Sequence, residues 1–166
     1  MMNRFWKLLL LIVFIILTDQ FAKAAIQTHL SVGDSEAVWD GIFYISHLCN
    51  YGALMGFLSE APKYLRTFVF LYMPILAALL LIAMLVMSLK QRFYLSLIYS
   101  LVLAGVVSNT LDRATLGYVV DWISIKFGGF TFPTFNLADA SIAIGIGIIL
   151  VDLLIDLFLK APPKDA

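Results

Sequence analysis

Charged residues are scarce in this 166-residue chain, which has 11 Lys and Arg, 11 Asp and Glu and a single cysteine. The charged fraction of 13% is low for a soluble domain, whereas 62% of the residues are hydrophobic. A formal net charge of zero gives no basic face of the kind that binds nucleic acid, so we expect no nucleic-acid partner. The single cysteine, Cys49, excludes an intrachain disulfide, and no Cys/His cluster has the spacing of metal ligands. We therefore expect neither a metal nor another cofactor.

Long apolar runs are what the sequence does contain. A helix that crosses a bilayer needs about 20 mainly apolar residues, and four runs approach or exceed that length, at about 5–25, 67–89, 93–111 and 137–159. They predict an all-α membrane protein of one domain, 1–166, with four transmembrane helices and a small extracytoplasmic β-sheet and loop. A cleavable secretory signal is the alternative for the first run, because Ala22-Lys23-Ala24 has the small-x-small pattern of a cleavage site.

The basic residues between the runs predict the orientation, because short loops rich in Lys and Arg stay in the cytoplasm. If the chain crosses the membrane four times, six of them fall on the same side: Arg4, Lys7, Lys90, Arg92, Lys160 and Lys164. Both termini are therefore expected in the cytoplasm. On the other side, β-branched and aromatic residues surround turn signals at 38–45 and 127–133, which predicts short strands there.

Ionisable residues at membrane depth are costly and are functional candidates by default. Asp19 and Lys23 stand four apart on one helical face, which predicts an ion pair. Asp112 precedes Arg113, whose guanidinium favours the ionised carboxylate, so Asp112 is interpreted as a structural clamp. A third group is interpreted as an interfacial acid pair answered by a lysine: Asp152, Asp156 and Lys160.

Two further acids have surroundings that differ from each other. Asp121 lies between Val120 and Trp122, and apolar neighbours disfavour a charged carboxyl and raise its pKa. Asp139 falls in the first turn of the fourth helix, where unpaired amides favour negative charge, with Asn136 as its expected N-cap. One protonated and one ionised carboxyl form the pair that acid/base catalysis requires. By residue type alone, a structural role for each acid is the alternative.

Five short blocks occur in order: Asp19-Gln20-Phe21-Ala22-Lys23, Asn50-Tyr51-Gly52-Ala53, Asn109-Thr110-Leu111-Asp112-Arg113, Gly117-Tyr118-Val119-Val120-Asp121-Trp122 and Pro133-Thr134-Phe135-Asn136-Leu137-Ala138-Asp139. Together they resemble the signatures of the lipoprotein signal peptidases, also called signal peptidase II, an aspartic intramembrane peptidase family. The blocks extend from the first helix to the fourth and cover nearly the whole chain. The sequence departs from the family pattern at Ala22, where Thr or Ser is common, at Ser108, where Gly is common, and at 54–57.

The resemblance implies that Asp121 and Asp139 are the catalytic pair. The positions that it implies to support the pair or to bind substrate are Asp19, Lys23, Asn50, Gly52, Asn109, Asp112, Arg113, Asn136 and Ala138. It further implies an endopeptidase of the bacterial inner (cytoplasmic) membrane that removes the signal peptide of diacylglyceryl-modified prolipoproteins just before the lipidated cysteine. The active site would lie near the outer leaflet, under a lid at about 50–57. The expected partners are this substrate and membrane lipids, and the protein is expected to be a monomer.

Three other interpretations stay open. A small transporter or proton-relay subunit would also carry intramembrane acids, arranged along a continuous path through the bilayer. A serine/lysine peptidase would need Ser108 or Ser141 beside a desolvated Lys23. Nothing in the sequence argues directly against a structural assembly factor.

Overall fold

Four long helices form the body of the molecule in a computed structural model that describes residues 2–52, 58 and 60–159. They are α1 (Met2–His29), α2 (Lys63–Ser88), α3 (Phe93–Thr115) and α4 (Leu137–Leu159). All four are long and apolar enough to cross a membrane, which confirms the expected four-helix membrane fold. Within α2, a π-helical turn at Phe68–Tyr72 precedes Pro74, because proline has no N–H to donate to the preceding turn.

Three helices differ from the apolar runs that predicted them. α1 continues to His29, α2 begins four residues earlier at Lys63, and α3 continues to Thr115. An apolar run ends where polar or charged residues begin, whereas a helix continues wherever those side chains find partners or reach water. In α3 this difference matters, because the added turns carry Asp112 and Arg113.

A four-stranded antiparallel sheet covers one end of the bundle, which we call the sheet end. Its strands are β1 (Ser35–Trp39), β2 (Phe43–Asn50), β3 (Val119–Phe127) and β4 (Phe130–Thr131), in the order β1-β2-β3-β4. Gly128 and Gly129, with φ of 54° and 88°, form the two-residue turn between β3 and β4. Two consecutive positive φ angles suit a type I′ hairpin turn and favour glycine.

The expected sheet is confirmed, but its strands extend beyond the segments that predicted them. The sequence indicated strands at 38–45 and 127–133, whereas β2 continues to Asn50 and β3 begins at Val119. Polar residues interrupt the apolar pattern at Asn50 and Asp121. These two side chains hydrogen-bond to each other, so the pairing of β2 with β3 accommodates them.

Close helix packing positions the polar residues of α3 beside the start of α4. A Cβ atom added to Gly105 would clash with the Ala138 carbonyl and with Ser141. The two backbones therefore approach as closely as glycine allows, as small residues permit in membrane bundles. Asn109, one turn beyond Gly105, is thereby brought to the first turn of α4.

The opposite end of the bundle is held by Arg4. Its guanidinium donates to the carbonyls of Leu89 and Gln91, at 3.1 and 2.8 Å, so the start of α1 lies against the turn between α2 and α3. Between the two ends, the outward surface is apolar and includes Leu10, Leu79 and Leu154. Such a surface is solvated by lipid chains.

Candidate active site

Asp121 is buried in β3 and is held by two amide side chains. Asn50 Nδ2 donates to one carboxylate oxygen at 2.9 Å and Asn136 Nδ2 donates to the other at 2.8 Å. Asn50 of β2 pairs with Val119 of β3. Val119 and Asp121 are two residues apart and lie on the same face of β3, so the Asn50 side chain reaches Asp121. Each oxygen of Asp121 thus has an uncharged donor.

Burial and, after it, the nearby charge of Asp139 raise the pKa of Asp121 to about 6, against the two amides, which lower it. Desolvation disfavours the charged form of a carboxyl group, and a second carboxylate does the same. The rise agrees with the expectation from its apolar neighbours. Asp121 therefore holds a proton up to a pH at which an ordinary aspartate is fully ionised.

Asp139 lies in the first turn of α4 and forms a reciprocal capping arrangement with Asn136. Asn136 Oδ1 accepts from the Asp139 backbone N–H at 2.9 Å, and Asp139 Oδ2 accepts from the Asn136 N–H at 3.1 Å. This confirms Asn136 as the N-cap of α4. Asn109 Nδ2 donates to the other Asp139 oxygen at 2.8 Å.

The segment that leads into α4 explains why Asn136 reaches both acids. Phe135 pairs with Ile123 of β3, with hydrogen bonds of 2.7 and 3.1 Å between their backbones. The next residue, Asn136, is fully buried. It caps the helix that carries Asp139 and also donates to Asp121.

Asp121 and Asp139 line the same cavity of about 410 Å³ at the sheet end. Its other polar lining residues are Asn50, Asn109, Thr110, Arg113 and Thr134. Its remaining wall is largely apolar and includes Pro74, Ile142 and Ile146. Two carboxyl groups on one apolar cavity can bind a water molecule and an extended peptide and exchange a proton with them.

A second group of acids surrounds Lys23, which is only 1% exposed. Its ammonium lies 2.7 Å from Asp19 and 2.8 Å from Asp112, and it donates to Asn109 Oδ1 at 2.9 Å. Three ammonium protons therefore have three acceptors. The predicted pair of Asp19 and Lys23 is confirmed.

The structure corrects the partner that was expected for Asp112. Its ion pair is with Lys23, whereas the Arg113 guanidinium donates to the carbonyls of Gly52 at 3.1 Å and Asn109 at 3.4 Å. Consecutive residues of a helix point in directions about 100° apart, so neighbours in sequence do not face each other. Asp112 still has the structural surroundings that were expected, and it also accepts from the Val120 N–H at 3.2 Å.

Two residues of this network were not among the supporting positions expected from the sequence. Ser108 Oγ donates to Asp19 at 2.7 Å, and Gln20 Nε2 donates to Asp112 at 2.7 Å and to Ser108 Oγ at 3.1 Å. The available signals were the place of Gln20 beside Asp19 and the departure from the family pattern at Ser108. Ala138 contributes its backbone, which donates to Asp19 at 3.2 Å.

The serine/lysine interpretation has no support in these contacts. Ser108 donates to Asp19, and Ser141 donates to the carbonyls of Ala138 and Leu101, at 2.8 and 3.1 Å. Lys23 is fully engaged with carboxylate and amide oxygens, so it is not the free amine that such a mechanism needs.

A continuous acidic path through the bilayer is also missing. The helix segments between the two ends, 5–18, 67–89, 93–111 and 140–151, contain no Asp or Glu. At the far end Asp152 accepts from the Tyr94 hydroxyl at 3.1 Å, whereas Lys160, its expected partner, lies outside the described residues. The acids are therefore divided between the two ends, whereas a proton relay requires them along a continuous path through the bilayer.

The fold and the cavity define a multi-pass helical membrane protein with paired carboxyl groups at one end. Residues 11–155 match the family described as Signal peptidase (SPase) II. The lipoprotein signal peptidase of Syntrophus aciditrophicus is 34% identical over 140 residues, which cover 84% of this chain and 87% of the relative. That of Lactiplantibacillus plantarum is 33% identical over 151 residues, or 91% of this chain and 96% of the relative.

Solved structures agree with these relatives. A bacterial membrane enzyme determined by the in meso method at 2.3 Å resolution superposes with a TM-score of 0.79 and 32% identity, covering 96% of this chain and 94% of that one. The chain belongs to the signal peptidase II family, which confirms the resemblance carried by the five sequence blocks. It is therefore a membrane peptidase.

Proposed function

We propose that this chain is an aspartic endopeptidase that removes the signal peptide from diacylglyceryl-modified prolipoproteins, cleaving before the lipidated cysteine. Relatives named lipoprotein signal peptidases support the substrate class. One observation carries the catalytic type: Asp121 of β3 and Asp139 of α4 line a single cavity and are held by amides, while the buried cation Lys23 is bonded to other acids.

In the proposed mechanism, one carboxyl group acts as the general base and the other as the general acid. Asp139, ionised, takes a proton from a water molecule that attacks the scissile carbonyl carbon. Asp121 carries the shared proton, because its pKa of about 6 is the value of a group poised to donate. It delivers that proton to the leaving amine as the C–N bond breaks. The two groups titrate as a pair, and no covalent intermediate is required.

The surrounding amides hold the carboxyl groups rather than the substrate. The side-chain N–H groups of Asn50 and Asn136 are directed at Asp121, and that of Asn109 at Asp139. We assign these residues to fixing the orientation of the two acids. Arg113 lines the cavity and donates to the carbonyls of Gly52 and Asn109, and its remaining N–H groups are available for substrate carbonyls.

We also propose that the sheet end faces the outside and that both termini lie in the cytoplasm. Arg4 lies against the turn that carries Lys90 and Arg92, so these basic residues share the end opposite the sheet. Lys7 lies in the second turn of α1, near Arg4, and the remaining two basic residues of the orientation argument, Lys160 and Lys164, lie outside the described residues. So does most of the expected lid, 53–57.

Cleavage of a synthetic diacylglyceryl lipopeptide by the purified protein tests the proposed pair. Asp121→Asn and Asp139→Asn keep the side-chain shape and remove proton exchange, so each is expected to lower kcat by about a thousandfold or more. Asp152→Asn is the matched control, because Asp152 is a hydrogen-bonded acid at the other end of the bundle. It should cleave within about threefold of the unchanged protein, as expected of a residue outside the site.

Two outcomes would overturn the assignment. Substantial cleavage by either variant of the pair would remove that residue from the chemistry, provided that its product has the same cleavage site. Equal losses in all three variants, with unchanged melting temperatures, would mean that no special pair exists.

A further inference from the structure

A second cavity of about 540 Å³ opens at the sheet end, between the first turns of α2, the last turn of α3 and the start of β3. Three cationic side chains line it, those of Lys63, Arg66 and Arg113, and none of its lining residues is acidic. Among the described residues, neither Lys63 nor Arg66 forms an ion pair. Arg113 interacts with the charges of Asp139, Asp121 and Asp112 in the adjacent site, so the uncompensated positive charge of the cavity is that of Lys63 and Arg66.

Among the three cations of this cavity, Arg66 is the one whose buried hydrogen-bond donor, Nε, has no acceptor among the described residues. The guanidinium lies 5.6 Å from the centre of the Tyr51 ring, a contact that holds the side chain in place without neutralising it. A buried donor without an acceptor costs free energy, which an anion in the cavity would recover.

The outer face of α2 indicates the depth of the cavity in the membrane. Tyr64, Phe68 and Tyr72 succeed one another every four residues, on one helical face, and are 77%, 51% and 57% exposed. Exposed tyrosines at the end of a membrane helix lie at the level of the lipid headgroups. Phe70 and Leu71 of the same turns line the cavity, so its cationic part adjoins an apolar wall.

We propose that this cavity binds the phosphate group of an anionic phospholipid, with Lys63 and Arg66 as the donors to the phosphate oxygens. Phosphate is the anion whose geometry suits arginine and lysine donors, and basic pockets at the ends of membrane helices bind lipid headgroups. Phe70 and Leu71 then contact the glycerol and the upper acyl chains. Arg113 lines both cavities, so the lipid would lie against the wall of the candidate active site. The proposal does not depend on the catalytic pair.

Native mass spectrometry of the full chain in detergent, titrated with phosphatidylglycerol or with phosphatidylcholine of the same acyl chains, tests the proposal. The unchanged protein is expected to bind phosphatidylglycerol at least about tenfold more tightly, as two or more cations at the membrane surface would give. Lys63→Gln and Arg66→Gln should each weaken that binding about fivefold, and Arg66→Lys should retain most of it. Lys126→Gln is the matched control, since Lys126 belongs to the sheet and its ammonium lies 4.1 Å from the Tyr44 ring, outside the cavity.

Three results would overturn the proposal. Equal binding of the two lipids would show that the charge of the headgroup is not recognised. An equal loss in Lys126→Gln would indicate general attraction to the surface of the protein. Displacement by inorganic phosphate at the same concentration as the lipid would make the site one for free phosphate. Lys63 is exposed, so Lys63→Gln keeps the test valid if an Arg66 variant fails to fold. Failure here with intact lipopeptide cleavage would leave the proposed function standing.

Discussion

Two groups of carboxylates lie side by side at the sheet end, and they differ in the side chains that bind them. In the first, which we call the clamp, Asp19 and Asp112 are bonded to the ammonium of Lys23. In the second, the pair Asp121 and Asp139, the side-chain donors to the carboxylate oxygens are asparagine amides. A cation holds a carboxylate in its charged form, whereas amides orient it and leave proton exchange open. This difference supports the proposal that the pair performs the chemistry and that the clamp is structural.

Asn109 connects the two groups. Its carbonyl oxygen accepts from Lys23 at 2.9 Å and from Asn136 at 3.2 Å, and its amide donates to Asp139 at 2.8 Å. Because Lys23 fixes the carbonyl end of Asn109, the amide end is fixed as the donor toward Asp139. The clamp thereby orients one member of the pair through a single side chain.

Replacement of Lys23 by methionine should have the largest effect, because it removes the cation on which the clamp depends. The variant keeps an unbranched side chain but leaves Asp19 and Asp112 buried without their cation, which typically costs about 3–5 kcal/mol. We expect a much lower melting temperature in detergent, whereas Asp121→Asn should melt near the unchanged protein. Adding Asp19→Asn and Asp112→Asn to Lys23→Met removes the stranded charges and should recover part of the loss. A Lys23→Met variant that melts normally would contradict the role given to the clamp.

The pH dependence of cleavage tests whether Asp121 of the pair acts in its protonated form. Burial and the charge of Asp139 raise the pKa of Asp121 to about 6, so its proton is present below that pH and is lost above it. If this proton is donated in the reaction, kcat/KM should fall about tenfold per pH unit above the apparent pKa. Cleavage rates of the synthetic lipopeptide, measured between about pH 5 and 8, would show this fall. A rate that rises through pH 6 and then stays level would mean that Asp121 acts in its ionised form.

Part of the fold and of the candidate site could be predicted from local sequence patterns. The four helices follow from the length of the apolar runs, the pair of Asp19 and Lys23 follows from a spacing of four, and the capping role of Asn136 follows from its place before α4. The last two depend on residues within one or two helical turns of each other. Such contacts are fixed by helix geometry alone.

The rest depended on packing between distant elements. Asp112 pairs with Lys23, 89 positions away, because α1 and α3 bring them together, and no spacing rule relates them. The same holds for Asn50, whose contact with Asp121 requires the register of β2 on β3. The five blocks marked these residues as a set through the family resemblance, but the partners of each became visible only with the fold.

Replacement of Asn50 by leucine tests the amide support of Asp121 directly. The Asn50 amide favours the ionised carboxylate and lowers the pKa of Asp121, so its loss should move the alkaline limb of the pH profile to higher pH. The orientation of Asp121 also loosens, and we expect kcat at the optimum to fall about tenfold. Tyr44→Phe is the control, because among the described residues that hydroxyl bonds to Gly41 and Asp40, at the other end of β2. An alkaline limb that stays in place, or moves to lower pH, would contradict the role assigned to the Asn50 amide.

The smallest effect is expected from Ser108→Ala, inside the clamp. The change removes the 2.7 Å hydrogen bond to Asp19 but leaves that carboxylate bonded to Lys23 and to the Ala138 N–H. A hydrogen bond to a charged group contributes about 1.5–3 kcal/mol, and the two remaining partners should limit the loss to the lower end of that range. The melting temperature should therefore fall by a few degrees while the pH profile stays where it was, because neither Asp121 nor Asp139 loses a donor. Abolished cleavage with an unchanged melting temperature would instead return Ser108 to consideration as a nucleophile, and the separation of clamp from pair would no longer hold.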